Sequence, residues 1–119
     1  MRLLRTRRLV QLSLVLALSS CLTGNITGKA AQQLVKTHHA VLVDVRTPAE
    51  YAMDHLDGAV NVPLGELEAR LADFPARKDQ DVIVYCRSGH RSARAAAVLR
   101  DAGFTEVHDL GTILNWKSE

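Results

Sequence analysis

The sequence predicts an α/β fold: a small, mostly parallel central sheet with helices on both faces. Three observations carry this. Two runs, Val41–Val45 and Asp81–Cys86, are nearly uninterrupted apolar stretches rich in β-branched residues, as strands covered on both faces require. Each run passes directly into a helical signal. Strand-like and helical segments then alternate along the rest of the chain, without internal repeats or low-complexity tracts.

The elements follow in order. A first helix starts near Thr27 or Gly28 and places Ala31, Leu34, Val35 and His38 on one face, ending around His38-His39. Adjacent histidines point in different directions and no further ligands cluster nearby, so no metal site is expected there. The Val41–Val45 strand is closed by polar Asp44 and Arg46. Pro48 suits the first turn of a short helix through Met53, because its missing N–H is not needed there. Gly58 breaks the chain before a brief strand, Ala59–Val62, that ends at Pro63. The next helix carries Leu64, Leu67, Leu71 and Phe74 on one stripe, with Glu66, Glu68 and Arg70 on the solvated side. After the Asp81–Cys86 strand comes a helix that buries Ala95, Val98, Leu99 and Ala102 and is stopped by Gly103. A last strand spans Glu106 to Leu110, followed by Gly111 and a core-edge Trp116.

At 119 residues and 47% hydrophobic, the chain has room for one core and therefore one site. Residues 1–20 have the layout of an export signal: basic Arg2 to Arg8, a ten-residue apolar run from Leu9 to Leu18, then small residues. The run is too short to span a bilayer. Leu18-Ser19-Ser20-Cys21 resembles a bacterial lipobox, which makes Cys21 the acylated first residue and residues 21–27 a lipidated cysteine with a short spacer, ahead of a domain at 28–119. Plain secretion with cutting near Ala30, and retention as an uncleaved anchor, are the alternatives. The expected location is the periplasmic side of a bacterial membrane, or the soluble periplasm. Leu22 in place of aspartate leans toward the outer membrane. Without Arg2, Arg5, Arg7 and Arg8, the 15 basic residues fall to 11 against 13 acidic, a net charge of −2 in place of +2. A mildly acidic domain without basic runs gives no footprint for nucleic acid. A monomer is expected.

If Cys21 carries lipid, Cys86 has no partner for a disulfide, and a lone thiol in an oxidising compartment is a liability unless buried or used. Cys86 ends a strand just before a helix, where open parallel sheets bind ligands. In Arg87-Ser88-Gly89-His90-Arg91, Gly89 allows the unusual backbone angles that turn successive N–H groups inward, and the positive helix end adds to them. A sulfur at the centre would favour its anionic form, both as nucleophile and as a persulfide. Arg87, His90 and Arg91 add positive character at the rim.

The stretch Cys86-Arg87-Ser88-Gly89-His90-Arg91-Ser92 resembles the active-site loop of single-domain bacterial rhodaneses. Leu42-Val43-Asp44-Val45-Arg46 through Glu50-Tyr51, then His55-Leu56-Asp57-Gly58-Ala59-Val60-Asn61-Val62-Pro63, resemble the family's first signature, and Gly103-Phe104, Val107, Leu110-Gly111 and Trp116 its last. The likeness covers about residues 28 to 117, with one departure: Thr112 stands where the family usually has a second glycine. It implies a rhodanese-like fold and sulfur transfer. An anionic donor such as thiosulfate is attacked at its outer sulfur by Cys86, sulfite departs, and a thiol or cyanide later removes the sulfur, with no cofactor and no metal. It further implies that the backbone of Arg87, Ser88, Gly89, His90 and Arg91 cradles the sulfur and that Arg46 lies near the mouth. Arg46 either holds the donor or is a structural ion pair with Asp44 or Glu50; Asp44 and Glu50 are read as structural residues that orient arginines. His55 is read as a turn or packing residue.

Two enzymatic rivals and one binding role compete with this reading. Cysteine phosphatases resemble Cys-x5-Arg, whereas Arg91 follows Cys86 with four residues between and Ser92 holds the phosphatase arginine position. A thiol-disulfide oxidoreductase lacks the second cysteine of a Cys-x-x-Cys pair. A rhodanese-like module that binds partners or carries sulfur, with little turnover of small donors, is the main alternative; retention of Cys86 favours the enzyme.

Overall fold

The computed structural model describes residues 25–119. The signal, the lipobox and Cys21 fall outside the described residues. Four helices and four strands alternate: α1 (Gly28–His38), β1 (Val41–Asp44), α2 (Pro48–Met53), β2 (Val60–Asn61), α3 (Leu64–Leu67), β3 (Val82–Cys86), α4 (His90–Asp101) and β4 (Val107–Thr112). Short 3-10 turns extend α3 over Glu68–Arg70 and close the chain over Ile113–Lys117. All strand pairings are parallel, in the order β2-β1-β3-β4.

Strand alternation sorts the core into two layers. From β3, Val82, Val84 and Cys86 point to the side of α3 and α4, where they meet Val43, Val45, Val62, Leu67, Ala95, Ala96 and Leu99. Ile83 and Tyr85 point to the other side and meet Ala31, Leu42, Ala59, Leu110 and, at the edge, Leu34, Tyr51 and Trp116. Both faces are covered, so β3 is buried at every position, which explains its unbroken apolar sequence.

Local signals place the helices. Thr27 caps α1 by accepting from Ala30 N at 3.1 Å. Thr47 and Glu50 form a reciprocal capping box at α2, whose first residue is Pro48. Gly28 is required where the C-terminal turn crosses α1: a Cβ there would run into the backbone carbonyls of Asn115 and Trp116. Its own N–H donates to Ser118 Oγ at 2.9 Å.

Three expectations shift. The stripe from Leu64 to Phe74 is buried or half-buried as expected, but the α-helix stops at Leu67 and tightens into a 3-10 turn. Pro75 follows Phe74 and disfavours a helical conformation there, so the stripe ends in an irregular segment. The last strand runs on to Thr112 rather than ending at Leu110: a register shift between Val84 and Tyr85 places Tyr85 opposite Gly111 and Cys86 opposite Thr112. His38, expected on the buried face of α1, is largely exposed and turned toward Asp81.

Candidate active site

Cys86 closes β3, and only Arg87, Ser88 and Gly89 separate it from α4. Gly89 sits at φ +97°, ψ −17° as the N-cap of α4, a backbone state that glycine adopts without strain. This turn aims the Gly89 N–H at Cys86 Sγ, 2.9 Å away. The Ser92 N–H, one of the first-turn donors that a helix leaves unpaired, points at the same sulfur from 3.4 Å. No side chain caps α4 and its first turn holds no acidic residue. The sulfur takes the place of the capping oxygen. Ser92 Oγ lies 3.1 Å from Gly89 O and 3.4 Å from Gly111 O, tying the loop to β4.

The two amides that meet the sulfur belong to Gly89, one of the five cradle residues expected from Arg87 to Arg91, and to Ser92, which lies just beyond them. Cys86 itself has no exposed surface; the sulfur lies between the core layer below and its own loop above. Ser88 and His90 are exposed on that loop.

Carboxylates hold two arginines beside the loop: Glu50 pairs with Arg91, and Asp44 with Arg46. Arg91 makes a bidentate pair with Glu50, Nη1–Oε1 2.7 Å and Nη2–Oε2 3.1 Å. These hydrogen bonds hold the Glu50 carboxyl at about 2, below its ordinary value, and raise Arg91 in turn. Because Glu50 also completes the α2 capping box, α2 is fastened to the first turn of α4. Arg46 is 4% exposed, and its Nε and Nη2 are taken by Asp44 at 2.8 to 3.1 Å while Nη2 also donates to Asp54 O at 2.6 Å. The Asp44 hydrogen bonds keep Arg46 firmly protonated despite its burial. His55 stacks on Tyr51 at 3.8 Å between ring centres and bonds its carbonyl, a packing role.

A depression of about 460 Å³ opens beside the loop, lined by Arg46, Glu50, Met53, Asp54, Arg87, Ile113 and Leu114. Arg87 is exposed and, among the described residues, forms no ion pair. Arg46 shows the wall only one side of a guanidinium already held by Asp44 and Asp54. Met53 and Leu114 are 87% and 81% exposed, an apolar rim to a floor of two arginines and two carboxylates. Sequence reasoning missed Asp54, which is eight residues from Arg46, and the double role of Ser92. The latter was legible as the third residue of a helix whose N-cap is Gly89.

A cysteine at a parallel strand's carboxyl end, met by the loop amide and the first-turn amide of the helix that follows, places one thiol sulfur against two backbone N–H donors. Residues 27–119 match the family model described as rhodanese-like domain, and the chain belongs to that family. Among its relatives, a sulfurtransferase of Allochromatium vinosum is 41% identical over 87 residues, covering 72% of this chain and 79% of that one. The thiosulfate sulfurtransferase PspE of Escherichia coli is 39% identical over 69 residues, 58% of this chain and 66% of PspE. Of solved structures, a human single-domain sulfurtransferase superimposes with a TM-score of 0.71 at 25% identity, covering 80% of this chain and 97% of its own. A rhodanese with anions from E. coli gives 0.62 at 34% identity, covering 67% and 94%.

Proposed function

We propose that this chain is a thiosulfate-type sulfurtransferase that works through a persulfide on Cys86. The observation that carries the reading is the pair of N–H groups, from Gly89 and Ser92, converging on one sulfur at the start of α4. The thiolate attacks the outer sulfur of an anionic donor, the S–S bond of the donor breaks, and its electron pair leaves with sulfite. Cys86 is left as Cys–S–S⁻. Cyanide or a thiolate then attacks the terminal sulfur, and the electron pair of that S–S bond returns to Cys86. Amide donors and a helix N-terminus stabilise the negative sulfur in both states. Arg87 is the exposed cation that draws the donor to the mouth, with Arg46 as a fixed part of the wall.

Because Cys86 has no exposed surface, the donor reaches sulfur when the Arg87-Ser88 segment moves aside; that segment lies outside helix and strand. The same covering, with the exposed Met53 and Leu114 at the rim, favours a second reading: a sulfur carrier whose acceptor is a protein thiol that lifts the loop on docking. Mass spectrometry of the protein after thiosulfate treatment tests the first reading. One added sulfur on Cys86, removed by cyanide and absent in Cys86→Ser, supports it; an unmodified Cys86 at saturating thiosulfate rejects small-donor chemistry in favour of the carrier.

The same proposal includes export and lipidation at Cys21, supported by the basic flank, the ten-residue apolar run and Leu18-Ser19-Ser20-Cys21. Among the described residues, no helix is long and apolar enough to cross a membrane. Membrane fractionation decides: Cys21→Ala should release the domain into the soluble periplasm, and unchanged partitioning rejects the lipid anchor.

A further inference from the structure

At the opposite end of the sheet from Cys86, the fold assembles side chains that are far apart in sequence. His38 Nδ1 lies 3.1 Å from Asp81 Oδ2 and His108 Nε2 lies 2.8 Å from Asp81 Oδ1. The carboxylate of Glu106 joins them, with ligand atoms of Asp81, Glu106 and His108 all within 4.8 Å of one another. One imidazole and two carboxylates therefore converge from the residue before β3 and the start of β4, while His38, at the end of α1, meets the other oxygen of Asp81. Sequence spacing hides this cluster, since Asp81 is 43 residues from His38 and 27 from His108. The αL conformation of His39 ends α1 and lets His38 reach toward Asp81.

We propose that Asp81, Glu106 and His108 bind a divalent transition-metal ion, zinc being the fitting one, with His38 holding the second oxygen of Asp81 and so orienting that ligand. Tetrahedral coordination by imidazole nitrogen and carboxylate oxygen is the preference of zinc, whereas calcium and magnesium require six or more oxygen donors. Ligand atoms about 2.0 to 2.1 Å from a tetrahedral centre are roughly 3.3 Å from each other. The pair His108 Nε2 and Asp81 Oδ1, now 2.8 Å apart, has to open by about half an ångström to admit the ion. Among the described residues, neither Asp81 nor Glu106 pairs with a lysine or arginine, so two carboxylates meet with only histidines for counter-charge. A cation resolves that repulsion directly.

The ligands are also held in place. Asp81 O accepts from Val41 N and Glu106 O accepts from Val82 N, both at 2.9 Å, so the strand starts are locked by the ladder before any ion arrives. Asp81 is half-buried and Glu106 is exposed, which leaves one flexible arm to close the shell. Five residue steps along β3 lead from Asp81 to Cys86, roughly 16 Å at strand spacing. The ion is therefore a clasp across β3 and β4, not a participant at the sulfur.

The test is titration of the full chain, freed of metal by chelator dialysis, with Co2+ as a spectroscopic stand-in for zinc, followed by displacement with zinc. The expected result is one equivalent with visible tetrahedral bands and no sulfur-to-cobalt charge-transfer band, and the same titration in Cys86→Ser. His38→Gln and Glu106→Gln, both at exposed positions that leave the fold intact, should each weaken binding about tenfold or more, and His108→Gln at least as much. Zinc should raise the thermal midpoint of the wild type and not that of the His38→Gln, His108→Gln double variant. Equal affinity in wild type and double variant, or a thiolate band, overturns the proposal.

Discussion

Replacing Gly89 by alanine separates the conformational role of the loop from mere stability. Gly89 sits at φ +97°, and a Cβ there would meet only Gly111 Cα at 3.8 Å, an ordinary contact. The penalty is therefore in the backbone, about 1 to 3 kcal/mol if the native angles are kept. The exposed loop around it relaxes more cheaply, by turning residue 89 toward negative φ. That rotation swings its N–H, now 2.9 Å from Sγ, away from the sulfur. Losing one such donor to a developing or standing negative charge lowers rates on the order of 10² to 10³-fold. Gly58 supplies the matched control, because it has φ +79° with nothing within 4 Å of its missing Cβ and no contact with the sulfur. We expect Gly89→Ala and Gly58→Ala to lose similar thermal stability. Single-turnover sulfur loading from thiosulfate, quenched and read by mass, should fall about 100-fold in Gly89→Ala alone. If the two variants load sulfur within about threefold of each other, the loop amide is not what stabilises the charge, and the mechanism fails.

Three further outcomes are expected. Gly28→Ala forces a methyl into the carbonyls of Asn115 and Trp116 and should destabilise the domain by about 1 to 3 kcal/mol, measured by urea unfolding, with catalysis per folded molecule unchanged. The Glu50 carboxyl is held at about 2 against an ordinary 4.5, so its pair with Arg91 contributes stability that is complete above pH 4.5 and lost as pH falls toward 2. Since both side chains are partly exposed, Glu50→Gln should lose only on the order of 1 kcal/mol at pH 7, and the gap to wild type should close near pH 2 in thermal melts. Arg87→Ala should raise the KM for thiosulfate several-fold at low ionic strength with little change in kcat, and the difference should shrink in high salt, because this cation acts through a solvent-screened field.

Much of the fold was legible because its causes are local. The unbroken apolar character of β1 and β3 reflects burial on both faces, and Pro48 and Gly103 mark helix ends through fixed or permissive backbone angles. The loop after Cys86 was legible for the same reason, since Gly89 and the helix that follows lie within six residues of the sulfur. What was not legible depends on distant partners. Nothing near Arg46 in sequence says that Asp54 O will occupy its guanidinium, or that Arg46 will be sealed to 4% exposure. The α3 stripe was overextended because periodicity reports which residues face the core, not whether the backbone between them stays α-helical ahead of Pro75. The grouping of Asp81, Glu106 and His108 arises only when β3 and β4 are placed side by side.

The sulfur that stands in for a capping oxygen on α4 has a consequence for turnover. Under the proposed chemistry the empty and loaded enzymes bear the same single negative charge, shifted outward by one bond. The terminus of α4 is consequently never asked to accommodate a neutral guest in one half-cycle and an anion in the next. Both resting forms can share one arrangement of dipoles, leaving reorganisation to the passage of donor and acceptor through the loop.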